Sequence, residues 1–493
     1  MNEEAPRDTG MRRVAGNAAW YAGADLIGKV ASFVLAVLLA RHLGARSYGY
    51  FNFALSFFPL FLMLAQWGTE LIVVRELSGD PERVGDIYAS GLAVRVTLGS
   101  AAVAVGVAAL PALVGARAPL GAVLIIGVAL FVDELTRLHA AVFTAFDRMR
   151  VNALNILVNR VVSTALAVVV VAAGRGLTAV CLMYLAGSLG ALSVAVFNVR
   201  RSFPAARVRR LRRETVRALV RGGAPFGIAG MLNMAVFRID AVLLLGFKGP
   251  VQVALYGVAY RFFEPLLVVA WSLASASLPD MTRAARRGRD RTFPLSLALV
   301  LAFYLPIALG APFTARWLVV GLFSARYRAA SGAVAWLAGA ALFYAAAHLA
   351  RTAVVAAGRR ATITWIAGAT LLLNVGLNLA FIPQYGFLGA AAVTFFTELA
   401  ECAALITVYV RSTTVVPVWP ALALPVSAGT AMGAVLILAG VSGAAALAVG
   451  ATVYGATLLV VDRLLDHPLL AAWESAGPRS ASLGPAEPGM AID

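Results

Sequence analysis

Fourteen apolar stretches, most of them twenty or more residues long and separated by short polar connections, constrain this chain more than any other feature. A helix needs about 20 predominantly apolar residues to cross the hydrocarbon of a bilayer. Backbone N–H and C=O groups find no water there, and an α-helix satisfies them within a single segment. The stretches predict helices at about 17–40, 51–74, 87–110, 119–146, 151–173, 177–199, 222–247, 252–279, 294–322, 331–357, 361–382, 387–410, 418–440 and 444–462. Composition agrees with this reading. Of 493 residues, 61% are hydrophobic and 13% charged, against about 25% charged in a soluble domain. The fold class is therefore an all-α polytopic membrane protein. No connection is long enough for a folded soluble domain, which excludes a fused ATPase or catalytic domain.

The net charge of +17 reads as topology rather than nucleic-acid binding. With the N-terminus inside, the inner segments carry 26 Lys and Arg residues and the outer segments 8. Basic residues concentrate on the cytoplasmic side of membrane proteins, so both termini are expected in the cytoplasm and the chain in the cytoplasmic (inner) membrane. Nine arginines between Arg200 and Arg221 then form an inside anchor near anionic lipid. Cys181 and Cys402 each stand alone in an apolar stretch, implying neither a disulfide nor a metal site. Asp25 and Lys29 interrupt the first apolar stretch, which argues against a cleaved signal peptide. The Pro-, Gly-, Ala- and Ser-rich end, 464–493, is expected to be a disordered cytoplasmic tail.

Short matches recur between the halves. Phe57 with its flanks resembles Phe262 with its flanks, Arg148 resembles Arg359, and Gly176 resembles Gly386, at offsets of 205, 211 and 210 residues. That offset spans six helices, an even number, so the repeats share one orientation, and parallel six-helix halves place a path between them. The expected organisation is a cytoplasmic tail at 1–16, an N-lobe of helices 1–6 at 17–200, a basic linker at 201–221, a C-lobe of helices 7–12 at 222–411 and two appended helices at 418–463.

Three segments carry a resemblance to a known family: Leu38-Leu39-Ala40-Arg41-His42-Leu43-Gly44 with Tyr48-Gly49; Arg238-Ile239-Asp240 with Tyr256-Gly257-Val258-Ala259-Tyr260-Arg261 and Leu278-Pro279; and Asn374-Val375-Gly376-Leu377-Asn378 with Ile382-Pro383-Gln384-Tyr385-Gly386-Phe387-Leu388-Gly389. Through them the chain, over about 15–465, resembles the polysaccharide flippase branch of the multidrug/oligosaccharidyl-lipid/polysaccharide exporter superfamily. The resemblance implies two six-helix lobes around a V-shaped central cavity and alternating access of a lipid-linked sugar precursor. Pro383 with Tyr385-Gly386 reads as a tight outer turn in which Gly accepts positive φ. Asn374 and Asn378 share one helix face and either bond a neighbouring helix or line a cavity.

Charges inside the spans are the candidate site. The cations are Lys29, Arg95, Arg137, Arg160, Arg238, Arg261 and Arg351, and the acids are Asp25, Glu70, Asp133, Glu134, Asp240, Glu264, Glu398 and Glu401. Each costs about 2.5–3.5 kcal/mol at a lipid-facing helix centre, so they must face water or one another. Asp25/Lys29, Asp133/Arg137, Glu134/Arg137 and Arg261/Glu264 have pairing spacings. Arg95, Arg160, Arg238 and Arg351 look unpaired, as do Glu70, Glu398 and Glu401. Tyr344, His348, Arg351 and Thr352 form a polar stripe down span ten. A diphosphate head group favours guanidinium forks, making Lys29, Arg95, Arg160, Arg238, Arg261 and Arg351 the substrate-binding candidates. Asp25, Glu70, Glu398 and Glu401 are the coupling-ion candidates. No Walker loop, zinc-binding His-Glu-x-x-His or Gly-x-Ser-x-Gly elbow occurs, so neither an enzyme nor a cofactor is expected.

The leading expectation is a flippase moving a polyprenyl-diphosphate-linked oligosaccharide for surface polysaccharide assembly. Its partners would be membrane lipids, a polysaccharide polymerase and glycosyltransferases, with no nucleic acid. A cation-coupled multidrug-type antiporter of the same fold is the alternative.

Overall fold

A computed structural model describes residues 7–114, 118–204, 211–287, 289–415 and 419–464. The helices are α1 (Arg7–Gln66), α2 (Thr69–Gly79), α3 (Val84–Leu113), α4 (Leu120–Ala145), α5 (Met149–Ala172), α6 (Leu177–Ser202), α7 (Arg213–Lys248), α8 (Pro250–Arg287), α9 (Thr292–Phe323), α10 (Ala330–Ala356), α11 (Arg360–Ser412), α12 (Trp419–Ala439) and α13 (Gly443–Leu464). Thirteen of the fourteen expected spans fall on a single helix, while the second, 51–74, runs from α1 across a turn at Trp67-Gly68 into α2. α11 holds two spans, broken at Gly386 (φ 59°), and α1 is broken at Gly44 (φ 73°) between its first span and the start of the second, where the left-handed backbone suits a residue without Cβ.

Among the described residues, eleven helices are long and apolar enough to cross a membrane. α4 falls outside that criterion because Asp133, Glu134 and Arg137 stand in mid-helix. Two boundaries differ from expectation: α1 begins inside the anticipated tail, and α7 begins inside the basic linker. Arginine is a good helix former, and polar residues end the apolar pattern without ending the helix. The anticipated tail at 464–493 lies, apart from Leu464, outside the described residues.

The chain forms two compact units. The first comprises Met1–Arg261, Val319–Ala333 and Leu371–Val393. In it α4 packs on α6, α5 on α1 and α6, and α7 on α1, α2 and α3. Ile72, Leu77, Ile87, Tyr88, Leu138, Phe143, Val199 and Leu219 meet in one buried cluster. Trp67 donates its indole N–H to the Val220 carbonyl (2.8 Å), fastening the start of α7.

The second unit comprises Phe262–Leu318, Val334–Thr370 and Thr394–Asp493. Here α12 and α13 bury Ala428, Met432, Leu436, Ala446 and Tyr454 together, and the Tyr454 hydroxyl donates to the Ala302 carbonyl of α9 (2.9 Å). Two short strands, Arg289–Asp290 and Thr414–Val415, pair in parallel. Asp290 caps α9 by accepting from the backbone N–H groups of Thr292 (2.7 Å) and Phe293 (3.2 Å), and it also accepts from the Tyr409 hydroxyl.

Candidate functional site

In the first unit the intramembrane charges form a connected polar network. Arg95 of α3 is fully buried, although an arginine is almost never so placed without partners. It donates to Glu70 Oε1 (3.1 Å), to Thr69 Oγ1 (3.3 Å) and to the Glu134 backbone carbonyl. Glu134 in turn accepts from Arg137 (3.3 Å). Asp133, next in sequence, accepts from Asn159 (3.4 Å) and Ser188, with Arg160 and Arg137 in electrostatic reach. Tyr184 lies among Asp133, Arg160, Arg261 and Arg137. A separate pair sits on the same helices: His139 Nδ1 faces the Leu135 carbonyl (2.9 Å), which makes it the protonated nitrogen, so Nε2 accepts from the Tyr88 hydroxyl (2.9 Å).

The Arg238-Ile239-Asp240 segment shows why two charges of opposite sign stand two residues apart. They leave α7 in different directions and meet tyrosines one turn apart on α8. Buried Asp240 accepts from the Tyr256 hydroxyl and from the Ala241 N–H (2.7 Å). The Arg238 guanidinium lies 5.9 Å from the Tyr260 ring centroid, a cation–π distance.

The first motif has a positional role. Arg41 donates to the Leu322 carbonyl (2.6 Å) and the Gly321 carbonyl at the end of α9, supplying partners to carbonyls that a helix terminus leaves open. The Tyr327 hydroxyl donates to the Ala40 carbonyl (2.9 Å), and His42 Nε2 lies 2.8 Å from the Arg175 carbonyl. The third motif turns at Gly386, where an added Cβ would lie 2.5 Å from Gln252 Oε1, the atom that accepts the Phe387 N–H (3.1 Å). Asn378 and Asn374, both buried, bond each other (2.9 Å).

In the second unit the stripe on α10 is continuous. The Tyr344 and His348 rings stack at 5.8 Å, Arg351 donates to Glu401 of α11, and the Thr352 hydroxyl donates to the His348 carbonyl (3.0 Å). Tyr344 accepts from the Trp271 indole of α8 (2.6 Å). Glu398, one turn before Glu401, is buried beside them.

The structure corrects the expectation that Arg95, Arg351, Glu70 and Glu401 are unpaired: Arg95 pairs with Glu70, and Arg351 with Glu401. Their partners lie on other helices, which spacing along one helix does not reveal. Arg160 is exposed on α5, while Lys29, Arg238, Arg261 and Glu264 are half-buried. The side chain of Asp25 lies outside the described residues. Sequence reasoning passed over Asn159, Ser163, Tyr184, Ser188 and Trp271. Asn159/Ser163 and Tyr184/Ser188, each a polar pair at i,i+4, were the available signal.

The fold defines the class. The structure is similar to a lipid II flippase, MurJ, in an inward closed conformation (15% identity, TM-score 0.74, covering 90% of this chain and 99% of that one). It is similar to an inward-facing multidrug resistance MATE family transporter of the MOP superfamily (14%, 0.65, 78% and 93%), and to a MOP superfamily transporter from Pyrococcus furiosus described by the reversed polarity of its binding pocket (14%, 0.57, 83% and 98%). At such identities the likeness establishes the fold, a bundle of many long apolar helices. The sequence profile of the polysaccharide biosynthesis protein family matches residues 14–285, more than half of the chain, and the chain belongs to that family. No curated protein sequence matches it.

Proposed function

We propose that this chain flips a polyprenyl-diphosphate-linked oligosaccharide across the cytoplasmic membrane by alternating access, for surface polysaccharide assembly. The observation that carries this reading is family membership together with arginines held exposed or half-buried within the spans: Arg160, Arg238 and Arg261. A guanidinium offers diphosphate oxygens a bidentate contact that costs little reorganisation. Lys29 supplies a further cation. Arg95 and Arg351 are committed to carboxylates, so we assign them to holding the polar networks in shape. The six-helix lobes at 17–200 and 222–411 would enclose the path, with the helices of 418–463 beside it and both termini in the cytoplasm. The similarly folded MurJ, a lipid II flippase, supports a lipid-linked cargo. Glycosyltransferases would supply the cargo and a polymerase would consume it.

The test is complementation. A strain lacking the gene should lose surface polysaccharide and accumulate its lipid-linked oligosaccharide on the inner leaflet, and the intact chain should reverse both. Surface polysaccharide unchanged in the deletion strain would contradict the reading. The second reading, a cation-coupled multidrug antiporter, rests on the acids Glu398, Glu401 and Glu70 and on the fold shared with MATE transporters. It requires drug efflux that survives loss of the saccharide pathway.

A further inference from the structure

In the second unit two carboxylates stand near one guanidinium. Glu398 and Glu401 lie one turn apart on α11, each 6% exposed. Arg351 of α10 donates to Glu401. Glu398 Oε2 is buried and has no hydrogen-bond partner among the described residues. The charges nearest Glu398 are Glu401 and Arg351.

Among the described residues the surrounding groups add no second cation. His348 Nδ1 lies 3.4 Å from Arg351 Nη1. A guanidinium nitrogen only donates, so Nδ1 must present its lone pair, and His348 is neutral with its proton on Nε2. Tyr344 accepts from Trp271 and stacks on His348. Cys402 is the remaining ionisable neighbour of both glutamates. With both glutamates ionised the cluster would carry one uncompensated negative charge among packed helices. Such a charge is strongly disfavoured once its counter-ion is committed elsewhere. A proton removes that charge, and no group of three or more metal-ligating side chains occurs among the described residues to offer a cation site instead.

We propose that Glu398 is a proton-binding site, neutral while Arg351 is held by Glu401 and ionised when Arg351 turns to it. The proton arrives from one aqueous side as water or hydronium delivers it to the carboxylate. It leaves to the other side as Arg351 replaces it as the compensating charge. Glu401, having lost Arg351, takes up a proton in its turn, so one proton and one guanidinium always serve the two carboxyls. The two carboxylates thus exchange one arginine for one proton. For its consequence, proton movement coupled to the transport cycle, the proposal rests on the transport reading above; the site itself does not.

The experiment is infrared spectroscopy of the full chain in lipid nanodiscs, in H2O and D2O at neutral pH, reading the carbonyl stretch of buried carboxylic acid. The wild type should show the band. Glu398→Gln should remove its own component of the band, a negative feature in the difference spectrum, whatever buried Asp240 contributes. Glu401→Gln should remove it too, because the released Arg351 then serves Glu398. Arg351→Gln should enlarge it, because both acids lose their counter-charge. A band untouched by Glu398→Gln, or one that disappears when sodium replaces choline in the buffer, would overturn the proposal. Should Glu398→Gln fail to fold, as judged by size-exclusion profile, Glu398→Asp must shift the band in frequency; an unshifted band would overturn the proposal equally. In cells, collapsing the pH gradient with nigericin should lower surface polysaccharide in the wild type and leave the residual level of Glu398→Gln unchanged. The predicted spectra together with polysaccharide indifferent to nigericin in the wild type would uphold the proton site and refute the coupling drawn from the transport reading.

Discussion

Arg95 and Glu70 meet at 3.1 Å with the guanidinium side chain fully buried and the carboxylate side chain 37% exposed. The pair therefore runs from the packed interior of the first unit to an accessible surface. The buried end is over-determined, since Thr69 and the Glu134 carbonyl take further donors of the same arginine. An arrangement of this kind fixes the geometry of its neighbours more than it adds stability, because desolvation offsets much of the Coulomb gain.

Removing the buried member should therefore be costly and removing the exposed member mild. Arg95→Ala is expected to destabilise the protein by about 3 kcal/mol, the low end for breaking a buried pair because its partner is partly wet. Glu70→Gln should cost about 1 kcal/mol or less, since the guanidinium keeps two oxygen partners and the exposed carboxylate is screened. Thermal unfolding in detergent measures both. Equal losses would show that the burial difference does not govern the pair.

Gly386→Ala should destabilise through two separable effects. Left-handed backbone costs an L-residue about 1–2 kcal/mol, and the new methyl would press on Gln252 at 2.5 Å. Adding Gln252→Ala relieves the contact and leaves the backbone strain. Gln252→Ala alone already lacks the acceptor of the Phe387 N–H. Measured against it, the double variant should still lose thermal stability, though less than Gly386→Ala does in the wild-type background. No loss in that comparison would mean that the turn bears no strain.

The turn at Gly386 was readable because Pro383 and the following Tyr-Gly name a local event, and local events need no partner. The same holds for the fourteen apolar stretches, which report burial in lipid directly. The Arg95–Glu70 and Arg351–Glu401 pairs were not readable: their members lie 25 and 50 residues apart on different helices. Helical periodicity gives the face on which a residue stands and says nothing of which helix it meets. Arg238 and Asp240 lie between these cases. Their spacing announced that they must diverge, and only the structure named Tyr260 and Tyr256 as their separate partners.

The Lys/Arg distribution predicts that a reporter active only in the cytoplasm will work when fused after Arg213 and be silent in the 323–330 loop. An active fusion in that loop with a silent one at Arg213 would invert the topology, and with it the direction of the proposed transport.

Under the proposed flippase function the exposed and half-buried arginines serve a lipid-linked diphosphate while the buried glutamates serve coupling. Arg160→Ala, Arg238→Ala, Glu398→Gln and Glu401→Gln should be compared for surface polysaccharide and dye efflux side by side, with membrane protein levels matched. Each arginine variant is expected to lose at least about tenfold in polysaccharide output, a loss of about 1.4 kcal/mol in cargo binding. Lysine at either position should restore only part, because an ammonium keeps the charge and loses the fork. The glutamate variants should be milder, and dye efflux should be absent throughout. Normal polysaccharide in both arginine variants, with dye efflux present in the wild type and lost in both glutamate variants, would contradict the flippase assignment and leave the cation antiporter in its place.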